Sequence, residues 1–277
     1  MASGVAPLAT PTGAALELIE EGITGYFVAV RSPRGVRSAL HSLPHDRARL
    51  REIGRTARAR VLKERRGEAM VASYARAYRA ALGEPAGLLE MLDHGGAVVI
   101  VAHPDDETLW CGGLRLLHPW LDWTFVVATH FASSPRVREL ASIAEEAQAE
   151  LHCLELEDRL DRPLDIELRA RLEALPWGRF RFVFTHGAEG EYGHPHHRAV
   201  HRAVVELLAR RRDAGEPTPR LFCFAPSGIG ESIVLPPIVA ARKAELLERY
   251  RSEGRRTRLL AHAARSLGRE FFREVTP

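Results

Sequence analysis

The sequence predicts an α/β protein: a mostly parallel sheet covered by helices on both faces, preceded by a mainly helical N-terminal segment. Three observations carry that expectation. Five short apolar runs, Ala97–Ala102, Trp123–Thr129, Cys153–Leu156, Phe180–Thr185 and Leu221–Ala225, recur along the second part of the chain. Segments with helical patterning separate them, and continuously apolar strands alternating with helices mark parallel strands buried on both faces. The chemically active side chains gather at the ends of two of these runs, where open α/β sheets place their sites. The sheet is expected to be Rossmann-like.

Taken in order, Ala14–Glu21 is amphipathic, and the apolar run Gly22–Val30 suits a buried strand. From Pro33 to Leu82 the chain is rich in Ala, Arg, Leu and Glu and reads as helical. Gly83-Glu84-Pro85-Ala86-Gly87 stops that pattern, since Gly and Pro together break a helix. The expected domains are therefore 1–87 and 88–277. In the second, helices are expected at Glu107–Leu117, Pro135–Leu151, Ile166–Leu175, His197–Arg212 and Pro237–Arg251. Trp110, Trp120 and Trp123 are expected in the core or at its rim, and Cys111 as a small buried apolar side chain.

Composition excludes several classes. The 277 residues are 45% hydrophobic and 27% charged, and 39 Lys and Arg against 36 Asp and Glu leave +3. The arginines are scattered, and 7% aromatics without basic–aromatic interleaving argues against a nucleic-acid partner. Cys111, Cys153 and Cys223 are too widely spaced for a disulfide framework or a C-x-x-C zinc knuckle. No apolar run approaches the ~20 residues of a membrane helix, and the N-terminus lacks the basic region of a secretory signal. A cytoplasmic protein without a membrane span is expected, and homo-oligomerisation is compatible with the composition.

Two clusters carry the chemistry. The first strand is followed by Ala102-His103-Pro104-Asp105-Asp106-Glu107-Thr108, and the fourth by His186-Gly187-Ala188-Glu189-Gly190-Glu191-Tyr192-Gly193-His194-Pro195-His196-His197. A catalytic zinc takes three protein N or O ligands and keeps a position for water. His103, Asp106 and one histidine of the second cluster would supply such a set, leaving Asp105 to take a proton from water. His194 and His197 could divide the ligand and oxyanion-stabilising roles. Singly, each acidic residue also fits an ordinary helix cap. Two clusters at strand ends are harder to explain that way.

At these residues the chain resembles the LmbE-like, or N-acetylglucosaminyl-phosphatidylinositol deacetylase, family. The resemblance covers roughly 88–277 and rests on the A-H-P-D-D-E box at Ala102–Glu107 and the G-H-P-x-H box at Gly193–His197, with Arg136-x-x-Glu139 and Asp158 between them. It implies a zinc hydrolase that removes acetyl from N-acetylglucosamine on a small glycoside. His103, Asp106 and His197 are then the metal ligands and Asp105 the general base. By the same likeness His194 stabilises the oxyanion and assists amine departure. Arg136, Asp158 and Tyr192 are then substrate contacts, with Glu107 and His196 in support. Zinc is the implied ion, although this donor set suits other divalent first-row metals. Many relatives carry Asp where this chain has His196, thought to orient the stabilising histidine. Charging of His196 at low pH would repel His194, so activity is expected to fall more steeply below about pH 6.5.

Residues 1–83 resemble the C-terminal tail of a GT-B glycosyltransferase, through Gly4-Val5-Ala6-Pro7-Leu8-Ala9-Thr10 and Glu17-Leu18-Ile19-Glu20-Glu21-Gly22-Ile23-Thr24-Gly25. The chain begins after the glutamate pair such enzymes use, so this truncated segment is expected to be silent in glycosyl transfer. The pairing implies consecutive steps on an inositol or aminocyclitol glycoside, as in mycothiol-like or antibiotic biosynthesis. Two other readings stay open: an amidase cleaving a different N-acyl group, such as that of a mycothiol conjugate, and a catalytically silent partner of a glycosyltransferase.

Overall fold

The computed structural model describes residues 1–44, 46–64, 94–161, 164–225, 229–252 and 267–277, with residues 70, 73, 74, 77, 78, 87 and 92 between them. The chain forms two compact units, Met1–Met70 and Val71–Pro277.

In the first unit, β1 (Leu8–Ala9) pairs in parallel with β2 (Tyr26–Phe27). A single turn, α1 (Ala15–Leu18), lies between them, and α2 (Pro33–Ser42) and α3 (Arg47–Glu64) follow. Helix α2 starts where the sequence says it should. Ser32 accepts the Gly35 N–H at 2.9 Å, and Pro33 occupies the first turn, where its missing N–H costs nothing. Ile19, Ile53 and Ala57 form a small buried centre. The buried strand expected over Gly22–Val30 is corrected: its paired part is two residues long, and Ile23 and Val30 are exposed. The pair crosses closely enough that a Cβ at Gly25 would lie 2.6 Å from Pro7 Cγ. Most of the predicted helix beyond residue 64, and all but Gly87 of the 83–87 breaker, lie outside the described residues.

The second unit holds a seven-stranded sheet among the described residues. Its strands are β3 (Gly96–Val101), β4 (Asp122–Thr129), β5 (Glu150–Leu156), β6 (Phe180–Thr185), β7 (Arg220–Phe224), β8 (Glu231–Val234) and β9 (Arg269–Val275), in the order β5-β4-β3-β6-β7-β9-β8. The first five strands of that order run parallel, and β9 and β8 continue it antiparallel. The helices are α4 (Asp106–Leu117), α5 (Pro135–Ala147), α6 (Asp165–Glu173), α7 (Pro195–Asp213) and α8 (Pro237–Leu247).

The alternation of side chains along β3 explains the two layers. Ala97, Val99 and Val101 join one apolar cluster with Phe125, Phe184, Leu114 of α4, Leu140 of α5 and Val239 of α8. Val98, Ile100 and Ala102 join the other, with Val126, Val183, Leu168 of α6 and Val204 of α7. Trp123 lies buried within the first cluster, its indole N–H donating to the His118 carbonyl at 2.9 Å. Trp110 and Trp120 pack against that cluster, and Cys111 is fully buried in it.

Differences from the sequence reading are local. The helix predicted over Pro135–Leu151 stops at Ala147, because Gln148 turns left-handed at φ 55°. Strand β5 accordingly begins at Glu150 rather than Cys153. Strands β8 and β9 were not predicted: β8 is only four residues long, and charged residues interrupt the apolar signal of β9. In β9, Glu270 points inward, 2.7 Å from Lys243 Nζ of α8, and accepts the Gly113 and Leu114 N–H groups of α4 at 2.7 Å each. Gly113 fits there because a Cβ would lie 2.4 Å from Leu235 Cδ1.

Candidate metal centre

The carboxyl ends of β3 and β6 are adjacent, with Ile100 opposite Thr185 in the register. The loop after β3 carries His103, Asp105 and Asp106, and the loop after β6 carries His186 to His197. The edges are joined: the Ala102 N–H donates to His186 Nε2 at 2.9 Å, and the Thr185 hydroxyl donates to the Ile100 carbonyl at 2.8 Å. The Thr129 hydroxyl, at the end of β4, donates to the Ala102 carbonyl at 2.7 Å. Both predicted clusters thus meet at one sheet edge.

At the centre lies Asp106 Oδ2. It accepts the His103 backbone N–H at 2.9 Å and lies 3.2 Å from His103 Nδ1 and 3.3 Å from His197 Nε2. Burial alone would raise this carboxyl, but His197 and His103 outweigh it and hold it well below its ordinary range. His197 is oriented from behind. Its Nδ1 lies 2.5 Å from Glu191 Oε2, which also receives His186 Nδ1 at 2.9 Å, while Glu191 Oε1 accepts the Gly187 N–H at 2.7 Å. Burial works against charge on this ring, but Asp106 and Glu191 outweigh it and raise it to about 10. The other ring nitrogen, His197 Nε2, is buried and has no hydrogen-bond partner. His186, by contrast, spends its lone pair on Ala102.

Asp105 adopts φ 127°, which side chains rarely take. Its N–H donates to Glu107 Oε2 at 3.0 Å, and Glu107 Oε1 in turn accepts the Tyr250 hydroxyl at 2.6 Å and that of Thr108. Asp105 Oδ2 pairs with Arg136 Nη2 at 2.5 Å. Burial lifts the Asp105 carboxyl to about 7 in spite of Arg136. Arg136, expected as a sugar contact, is therefore engaged with Asp105, its side chain 16% exposed at the capped start of α5.

His194 Nδ1 accepts the His196 N–H at 3.3 Å, and the His194 ring centre is 4.7 Å from those of His103 and His197. Burial, then the neighbouring His103 and His197, push it down to about 3, so it is neutral with its proton on Nε2. The ring of His196, expected in support of His194, has its centre 5.4 Å from that of His194. His196 Nε2 faces the Arg159 carbonyl at 3.1 Å and its Nδ1 faces Asp158 Oδ1 at 3.2 Å. Asp158, expected to touch substrate, lies 3.3 Å from His103 Nε2 and 3.9 Å from His130 Nε2. Tyr192 is half exposed, with its ring 5.2 Å from that of His197.

Three sets of side chains bring potential ligand atoms within 4.8 Å of one another: His103, His194 and His197; His103, Asp158 and His196; and Asp106, His186 and His197. The predicted triad of His103, Asp106 and His197 is not one of these sets as a whole, although Asp106 Oδ2 lies 3.2 Å from His103 Nδ1 and 3.3 Å from His197 Nε2, a nitrogen and oxygen donor set of the kind a divalent ion takes. The sequence reading gave no role to His186, Glu191 or Tyr250. His186 and Glu191 stand inside the quoted run; their role depends on a pairing across β3 and β6 that spacing does not show.

Residues 98–208 match the family described as PIG-L, GlcNAc-PI de-N-acetylase. No curated protein matches the chain. Among solved structures, GalB, the 4-carboxy-2-hydroxymuconate hydratase from Pseudomonas putida KT2440, is 15% identical with a TM-score of 0.51. The alignment covers 66% of this chain and 97% of that one. The N,N'-diacetylchitobiose deacetylase from Pyrococcus horikoshii is 17% identical with a TM-score of 0.52, over 73% of this chain and 92% of that one. A hydratase and a deacetylase share the fold, so the fold alone does not choose the reaction. Among the described residues no helix is long and apolar enough to cross a membrane.

Proposed function

We propose that this chain, whose residues 98–208 are a PIG-L domain, is a metal-dependent deacetylase acting on an N-acetylglucosamine unit of a small glycoside. The observation that carries the proposal is His197 Nε2, buried with no hydrogen-bond partner 3.3 Å from the Asp106 carboxylate. His103, Asp106 and His197 would hold the ion, zinc by family likeness. When bound, such an ion polarises a carbonyl and makes a nearby water more acidic.

The remaining work falls to the chain's own groups. Asp105, its carboxyl lifted to about 7, is a base matched to neutral pH, and takes the proton of the attacking water. Arg136 and the Glu107–Tyr250 pair fix the direction of that carboxylate. Neutral His194 donates its Nε2–H to the oxygen that becomes negative as the amide carbonyl turns tetrahedral. The C–N bond then breaks, the proton held by Asp105 passes to the departing nitrogen, and acetate and a free amine result. Tyr192, half exposed beside His197, would meet the arriving sugar ring.

A glycoside substrate is favoured by the glycosyltransferase-like sequence of residues 1–83. Full-length enzymes of that kind make N-acetylglucosaminides, and although this segment is expected to be silent itself, the likeness favours one of inositol or aminocyclitol type as the substrate deacetylated in the cytoplasm. The test is product analysis on a panel of N-acetylglucosaminides and longer N-acyl analogues. Release of acetate with the free amine is expected; release of longer acyl groups alone would favour the amidase reading. Metal binding without turnover of any amide would favour a silent partner.

A further inference from the structure

We infer that Asp158 Oδ1, His196 Nδ1 and His103 Nε2 form a second seat for a divalent cation, on the solvent side of the buried set and sharing His103 with it. The inference rests on the reading that His103, Asp106 and His197 hold the buried ion.

The three atoms stand 3.3 Å (His103 to Asp158), 3.2 Å (His196 to Asp158) and 3.4 Å (His103 to His196) from one another. Ligands 2.0–2.1 Å from a tetrahedral zinc stand about 3.3 Å apart, so each edge has the length an ion would set. The hydrogen-bond geometry points the same way. His196 Nε2 faces the Arg159 carbonyl at 3.1 Å, a pure acceptor, and therefore carries the proton. His196 Nδ1 lies against the Asp158 carboxylate oxygen and His103 Nε2.

A neutral imidazole has one lone pair, so the two seats compete for His103. With the ion in the buried seat, His103 gives Nδ1 and its Nε2–H donates to Asp158. With the ion in the outer seat, His103 gives Nε2 and its Nδ1–H donates to Asp106 Oδ2, 3.2 Å away. The contacts needed for both states are already present, and one proton changes place between them. Asp158 is 39% exposed at its side chain and Asp106 only 4%, so an ion arriving from solvent meets the outer seat first. The outer seat thus serves as a loading station.

Cobalt(II) titration of the metal-free protein, followed by its visible d–d absorption, tests this. Wild type is expected to bind one equivalent tightly. The Asp106→Asn/His197→Ala variant, deprived of the buried seat, is expected to retain one equivalent with a distinct spectrum. Adding His196→Asn to that variant is expected to weaken it at least 100-fold. The inference is overturned if the double variant, folded by circular dichroism, binds no cobalt, or if His196→Asn leaves its binding unchanged. Should the double variant misfold, His197→Ala alone replaces it, with the same dependence on His196 required. Cobalt binding by wild type that is insensitive to His197→Ala would instead strike the buried seat, and with it the proposed function.

Discussion

Asp105 occupies a left-handed backbone conformation that costs of order 1–3 kcal/mol for a residue with a side chain, and its surroundings hold it there. Glu107 grips its N–H, Tyr250 grips Glu107, and Arg136 grips its carboxylate. Replacing Asp105 by Asn keeps the shape and removes the base. Deacetylation should fall about 10²–10⁴-fold, with metal content unchanged by elemental analysis. Glu191 acts one step further out, by fixing the tautomer of His197. Glu191→Gln should weaken metal affinity about 10–100-fold in a chelator competition. The sequence made Asp105 legible, because two carboxylates follow His103 at a strand end. It could not reveal Glu191 or Tyr250, whose meaning comes from partners reached through folding. Arg136 was visible as a candidate, yet its contact with Asp105 was not.

At the scale of elements, the apolar strands were the easiest to read, since β3, β4, β6 and β7 are buried on both faces and bear few polar residues. The antiparallel end was harder: β9 reads Arg-Glu-Phe-Phe-Arg-Glu-Val, and a buried glutamate breaks the apolar signal. Glu270 is tolerated there because Lys243 and two N–H groups of α4 satisfy it. Lys243→Met would leave that carboxylate buried without its cation. A loss of about 3–5 kcal/mol is expected in urea unfolding. Helices α5 and α8 are tied more openly, by Glu146 between Arg242 and Arg249. Burial works against this carboxylate, but the two arginines outweigh it and lower it from 4.5 to about 2. A group depressed on folding stabilises above its unfolded value and loses that effect as it is protonated. The melting temperatures of wild type and Glu146→Gln should therefore differ above about pH 4.5 and converge as the pH approaches 2.

For the whole molecule, the antiparallel end of the sheet is built around β9, inserted between β7 and β8. Phe272 is fully buried there and Glu270 reaches α4, so the C-terminus supports the helix that begins with Asp106. Ending the chain at Gly268 should abolish cooperative unfolding in calorimetry rather than merely lower the midpoint. The overall α/β architecture was legible because strand and helix periods alternate through the second unit. The first unit was read less well: the short pair of β1 and β2 leaves apolar residues such as Val30 exposed, which an apolar run alone does not foretell. The central claim is that one buried ion and Asp105 together hydrolyse an acetamido group. The most direct test measures metal per chain and acetate released from N-acetylglucosaminides, for wild type and Asp105→Asn side by side. About one divalent ion in both proteins, with acetate released by wild type alone, is the expected result. Acetate release that survives Asp105→Asn, or wild type that turns over with no metal bound, would contradict it.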